Sequence, residues 1–134
     1  MANTLQFDLV SPERRLASVP ATEVMIPGAD GDLTAMEGHA PTITTLRPGL
    51  LRAVTPSGVQ SYIVTGGFAE ISQASVSVLA ERAIPVEEAT GTLLDEMVEE
   101  ARSLAALALP EDRDGAEKTV QDILALKNAV LTHH

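Results

Sequence analysis

The sequence predicts a mainly β fold with added α: an N-terminal β-sandwich, or flattened barrel, over residues 1–85, then an antiparallel two-helix hairpin over 86–134. Three observations carry this. Turn residues punctuate the first part about every 8 to 12 positions. The runs between them are short and rich in Val, Ile and Leu, and after Pro85 the spacing of apolar residues changes from two to three and four.

Taken in order, the expected strands are Leu5 to Val10, Arg14 to Val19, Glu23 to Ile26, Asp32 to Met36, Ile43 to Leu46, Leu50 to Thr55, Val59 to Val64, Phe68 to Ser72 and Ser75 to Leu79. Between them Pro27-Gly28, Ala29-Asp30-Gly31, Pro48-Gly49 and Thr55-Pro56-Ser57-Gly58 supply the fixed or positive φ that chain reversal needs. Ser75-Val76-Ser77-Val78 shows the alternation most plainly: a period of two turns valines inward and serines outward, whereas a helix would scatter them. Many short strands with regular turns read as a sandwich or barrel.

Beyond Arg82-Ala83-Ile84-Pro85, the residues Leu93, Leu94, Met97, Ala101, Leu104, Ala105 and Ala108 form one apolar stripe opposite Asp95, Glu96, Glu99, Glu100 and Arg102. That pattern is a helix. Pro110 ends it, Glu111 to Gly115 reads as a loop, and Asp114 with Glu117 resembles a capping box opening a second helix. The second stripe is Val120, Ile123, Leu124 and Leu131, interrupted by Lys127. A hairpin of roughly 45 to 50 residues with no disulfide or metal cannot bury enough surface to stand alone, so its stripes must dock on the sandwich or on a partner. A marginally stable segment with two docking options can act as a switch. Each helix is roughly 25 Å long at 1.5 Å per residue, so straightening would move its end by tens of ångströms. The other reading, a hairpin that never leaves the sandwich, stays open.

Composition excludes several classes of function. Aromatic residues make up 2% of the 134, so the core must be built from Val, Ile, Leu, Ala and Met. The absence of cysteine removes disulfides, thiolate nucleophiles and cysteine-ligated zinc, and fits a reducing compartment. Met1 to Val10 carries Asp8 before any cation, unlike a secretory or transit peptide, and no apolar run nears the ~20 residues that span a bilayer. The expectation is no direct membrane insertion. A net charge of −10 argues against nucleic acid, which requires clustered Lys and Arg. Residues 1–85 carry −3 and residues 86–134 carry −7, which implies two regions with different work.

Gly38-His39-Ala40-Pro41 has a chemical and a structural reading. His39 could shuttle protons, or Gly38 and Pro41 could fix a rigid turn around it. The turn is preferred, because a lone histidine with no partner base or nucleophile explains no reaction. His39, His133 and His134 do not make a metal set, and no glycine-rich phosphate loop is present, so neither metal nor cofactor is expected. The acidic pairs Glu87-Glu88, Asp95-Glu96 and Glu99-Glu100 read as solvated faces rather than catalytic sites. Met25, Met36 and Met97 read as core filler. Gly66-Gly67 marks either a close approach of two backbones or a bulge.

Gly31-Asp32-Leu33, Gly38-His39-Ala40-Pro41, Arg47-Pro48-Gly49, Val64-Thr65-Gly66-Gly67-Phe68-Ala69-Glu70-Ile71 and Val76-Ser77-Val78-Leu79-Ala80 together resemble, in order and spacing, the epsilon subunit of bacterial F-type ATP synthase. The resemblance covers about the first 85 residues and continues more weakly to the end. It implies a β-sandwich and helix pair in a rotor stalk, with the sandwich bound to the gamma subunit and the c ring on the cytoplasmic face of the inner membrane. It further implies that Ser11, His39 and Thr44 lie near gamma, and that Ala29, Asp30, Gly31 and Asp32 face the ring loops. An acidic Asp30/Asp32 turn would suit basic or amide groups there.

The same resemblance raises two questions about the C-terminal part. In relatives its helices can extend along gamma and inhibit ATP hydrolysis through basic residues that meet acidic beta subunits; here the tail is net acidic, which implies weak or absent inhibition. Some relatives bind ATP through a motif at the first helix. The matching stretch here is Val86-Glu87-Glu88-Ala89-Thr90-Gly91, a degenerate motif with Thr90 where the arginine would stand, so weak or absent ATP binding is expected. The rival functions are a free-standing sandwich adaptor whose hairpin captures helices, and a small enzyme using His39.

Overall fold

Alternation in the sequence becomes strand pairing throughout the first 85 residues of the computed structural model, which describes residues 3–133. The Met1-Ala2 start of the segment read above as no targeting sequence, and His134, lie outside the described residues, as does the side chain of His133. The chain divides into two compact units, Met1–Pro85 and Val86–His134.

The first unit holds β1 (Leu5–Val10), β2 (Arg15–Ala21), β3 (Glu23–Gly28), β4 (Gly31–Met36), β5 (Thr42–Thr45), β6 (Gly49–Thr55), β7 (Gly58–Ile71) and β8 (Ser75–Pro85). Their order is β2-β1-β8-β7-β6-β3-β4, with β5 also on β7, and the sheet is not closed among the described residues. Pairing is antiparallel except between β1 and β8.

Two long strands turn this sheet into a sandwich. The first half of β7 pairs with β6 and its second half with β5. β8 pairs with β1 only from Ser75 to Leu79. One layer is therefore β2, β1, the start of β8, the end of β7 and β5; the other is the end of β8, the start of β7, β6, β3 and β4. The corner falls at Gly66 and Gly67, whose φ angles are +65° and +91°. The register is unchanged across the pair, from Thr65 opposite Arg82 to Gly67 opposite Ala80, so no extra residue is inserted. The glycines thus mark a close approach rather than a bulge: a Cβ on Gly67 would lie 2.9 Å from the Cα of Ala80.

Between the layers, β1 turns Leu5, Phe7 and Leu9 inward, meeting Val24, Ile26, Leu51, Val64, Ile71, Val76 and Val78. Burying each large apolar side chain contributes about 1.5–3 kcal/mol, enough to make this aliphatic core the main source of stability. Two of the three aromatics sit here, with Phe7 and Tyr62 at 6.4 Å between ring centroids and tilted by 51°.

Several boundaries differ from expectation. Nine strands become eight, because the glycine pair joins Val59 to Val64 and Phe68 to Ser72 into β7. Pro27-Gly28 lies inside β3 rather than in a turn. Proline is tolerated there because only its carbonyl is used, accepting from the Arg47 N–H at 3.0 Å. The two-residue turn is Ala29-Asp30, with Gly28 opposite Gly31.

The second unit contains α1 (Gly91–Leu107) and α2 (Arg113–His133), preceded respectively by single 3₁₀ turns at Val86–Glu88 and Pro110–Asp112. Its helices pack together, and Lys127 Nζ reaches Asp95 Oδ1 at 2.5 Å, which sets them antiparallel. Here the expected cap is corrected. Pro110 opens a turn that runs directly into α2 at Arg113, so Asp114 is inside the first turn of the helix and caps nothing. The stripes are also corrected. Leu94, Met97, Val98 and Ala101 are buried on α1, and Val120, Ile123, Leu126 and Val130 on α2, while Leu104 and Leu131 are exposed.

Candidate interaction surfaces

Residues directly opposite one another in a sheet point to the same face, so register and burial together define the outer surface of the first layer. Leu9, Val78 and Ala69 are buried, which turns Val10, Leu79 and Phe68 outward in a row that ends at Thr45. The third aromatic residue is therefore outside the core: Phe68 is 41% exposed and Leu79 47%. The neighbouring row, Ile43, Glu70, Ser77 and Asp8, is polar apart from Ile43, which is 72% exposed. With Ser11, Pro12, Gly67, Ala80 and Glu81, the apolar row lines an open groove of about 340 Å³. Apolar side chains left together on an otherwise acidic chain mark a surface made to be covered.

Ser11 is at one end of this groove. It is 9% exposed, and both its N–H and Oγ donate to the Arg14 carbonyl, at 2.9 and 3.4 Å. Thr44 is on the other side of β5: its Oγ1 is 3.1 Å from where a Cβ on Gly28 would stand, below the Ala29-Asp30 turn, and donates to the Thr45 carbonyl at 3.1 Å. His39 stands apart from both. Its N–H donates to the Met36 carbonyl at 3.0 Å and its Nδ1 to the Ala40 carbonyl at 2.6 Å, while Gly38, at φ +86°, donates its N–H to the Gln73 carbonyl at 2.8 Å. Its ring thus takes part in the Gly38–Pro41 turn. Each of the three side chains has its own partners, and the structure does not gather them into one cluster.

The Ala29–Asp32 turn forms a second exposed surface. Asp32 is paired with Arg47, whose Nη1 also donates to the Gly28 carbonyl at 2.6 Å. Asp30 is exposed and, among the described residues, has no ion pair. The sequence reading placed Arg47 only in a turn motif and missed its contact with Asp32. It also missed the outward row of Val10, Phe68 and Leu79. The row was hard to find because Phe68-Ala69 and Val78-Leu79 are apolar on both faces.

At the start of α1, Thr90 serves as the N-cap: its Oγ1 accepts from the Leu93 N–H at 3.1 Å. Glu87 and Glu88 belong to the preceding 3₁₀ turn, closed by the Ala89 N–H donating to the Val86 carbonyl at 3.0 Å. No group of three potential metal-binding side chains occurs among the described residues, and none of their helices is long and apolar enough to cross a membrane.

A sandwich with an uncovered apolar groove, a shaped acidic turn and a helical hairpin defines a class: a subunit that works through its surfaces within an assembly. Comparisons with known proteins give the family. Residues 4–86 match the model of the ATP synthase delta/epsilon chain β-sandwich domain. Over 127 residues, 95% of this chain and 96% of the relative, the sequence is 74% identical to ATP synthase epsilon chain 1 of Cereibacter sphaeroides. It is 63% identical to the epsilon chain of Fuscovulum blasticum, over 96% of this chain and 98% of that one. This chain belongs to the ATP synthase epsilon chain family. In fold it is similar to a chain of the Euglena gracilis mitochondrial ATP synthase OSCP/F1/c-ring structure, at a TM-score of 0.74, 24% identity and coverage of 96% and 81%.

Proposed function

We infer that this chain is a non-catalytic central-stalk subunit of a proton-translocating F-type ATP synthase, coupling rotation of the c ring to ATP synthesis in the catalytic head. The 74% identity to an epsilon chain across nearly the whole of both sequences carries this reading. A structure similar in fold, from Tetrahymena thermophila, is described as a central stalk with its c ring, with a TM-score of 0.67 at 14% identity. The chain is peripheral to the membrane-embedded part of the enzyme, on the cytoplasmic face. Family membership displaces the adaptor and His39-enzyme readings.

The Val10, Phe68 and Leu79 groove takes gamma, with Ser11 at its edge; His39 and Thr44, which stand apart from the groove, are further positions of the same proposed interface. The Ala29–Asp32 turn takes the c ring. Tagged full-length chain added to detergent-solubilised membranes depleted of the native subunit is expected to recover both gamma and the ring. Charge substitutions at Ser11, His39 and Thr44 together should lose gamma; equal recovery by the substituted chain would refute that interface.

The hairpin inhibits ATP hydrolysis weakly or not at all. Arg102 pairs with Glu99 at 3.3 Å, Lys118 with Asp122 at 2.9 Å and Lys127 with Asp95, so three of its four bases already face acids of the same unit. Such a surface offers little to acidic beta subunits. Epsilon-depleted enzyme should therefore hydrolyse ATP at rates within about twofold of each other with the full chain and with residues 1–85, a difference of less than about 0.5 kcal/mol in barrier. Strong inhibition by the full chain alone would contradict this.

A further inference from the structure

We propose that Arg47 is a positioning residue for the ring-facing turn: its guanidinium locks both strands of the β3–β4 hairpin at the turn, so that Asp30 is left free to face outward while the carboxylate of Asp32 is tied to Arg47. The proposal rests on the reading of Ala29–Asp32 as the ring contact and adds how that contact is shaped.

The geometry is a fork closing on two acceptors. Nη1 donates to the Gly28 carbonyl at 2.6 Å and Nη2 donates to Asp32 Oδ1. Gly28 ends β3 and Asp32 lies on β4, where it is paired with Pro27, so the one side chain grips the hairpin from both strands. A planar guanidinium satisfies two such acceptors at once; a lysine ammonium lacks that fixed fork.

The backbone around Arg47 completes the lock. The Ala29 N–H donates to the Thr45 carbonyl at 2.8 Å, and the Arg47 N–H donates to the Pro27 carbonyl at 3.0 Å. Between them Leu46, 7% exposed, bridges to Gly28 and donates its N–H to the Gly67 carbonyl at 3.0 Å. Residues 45–47 therefore form a strut from the turn to the glycine corner beside the apolar groove. Asp32 is 77% exposed and Arg47 28%, so the ion pair alone contributes little to stability. Its effect is geometric, on a turn whose only other carboxylate, Asp30, points to solvent without an ion pair among the described residues.

The test uses the full-length chain with purified c ring in detergent, purified gamma, and amide hydrogen exchange at Ala29 in the free chain. Arg47→Ala is expected to accelerate Ala29 exchange and to weaken ring binding by about tenfold while leaving gamma binding unchanged. Arg47→Lys, which keeps the charge and guards against a folding failure, should give intermediate values for both. Asp30→Asn should weaken ring binding more than Asp32→Asn. Unchanged Ala29 exchange in Arg47→Ala would overturn the lock. Faster exchange with unchanged ring affinity, or a larger loss from Asp32→Asn than from Asp30→Asn, would overturn the positioning role. If the wild-type chain itself failed to bind the ring, the docking reading would fall with its positioning role, while faster Ala29 exchange in Arg47→Ala would still show the lock.

Discussion

Gly67→Ala is expected to destabilise the sandwich by about 2–4 kcal/mol, from two causes that add: a side chain forced to positive φ, and overpacking against a backbone. The φ of Gly67 is +91°, and its missing Cβ is where the Ala80 Cα lies 2.9 Å away. Backbone cannot swing aside as the end of a flexible side chain can. β7 and β8 would have to separate at the point where both pass from one layer to the other. Movement there would also disturb the Gly67 carbonyl, which accepts from the Leu46 N–H. Gly58 is the control. It also has positive φ, +121°, but with nothing within 4 Å of its would-be Cβ, so Gly58→Ala should cost only about 1 kcal/mol. Urea unfolding of the full chain measures both, and equal losses would show that the close approach at the corner is not what requires glycine.

Much of the fold was legible because β1 and β4 alternate apolar with polar residues and turn residues punctuate the strands. The corner was not. A Gly-Gly pair reads locally as a turn, and only pairing with Arg82 and Ala80 shows that Thr65 and Gly67 continue one strand. On α2 the sequence pointed to Leu124 and Leu131, yet Leu126 and Val130 are the buried positions. Because Ile123 to Leu126 and Ala129 to Leu131 are continuous apolar runs, two overlapping stripes satisfy the same spacing, and the packing of α1 against α2 selects between them. Lys127 read as an interruption; it sits beside the seam with its ammonium on Asp95. The Arg47–Asp32 contact joins residues far apart in the chain, so it was hidden until the topology placed residues 45–47 beneath the turn.

The apolar groove was hidden for a different reason, and it carries the other large expected effect. On β7 and β8, Phe68 alternates with Ala69 and Leu79 with Val78, so period two marks strands without saying which face is inside. The aliphatic core selects Ala69 and Val78 and leaves the larger pair uncovered. Phe68 at 41% exposure already buries more than half of its surface in the free chain, and the part left outside is available to an interface that covers it. The double substitution Phe68→Ser/Leu79→Ser is therefore expected to weaken gamma binding by about 100-fold or more, about 2.7 kcal/mol, and also to lower the urea midpoint of the full chain, because both side chains are more than half buried; binding is compared without urea, on variants shown by circular dichroism to be folded. Val59→Ser is the matched control. Val59 is 62% exposed but lies opposite Val54 on β6, in the other layer, and its loss should leave gamma binding unchanged. Titration of labelled chain with purified gamma separates the outcomes. An equal loss in the control would mean that any apolar deletion weakens a diffuse contact, and undiminished binding by the double variant would place gamma on another face of the sandwich.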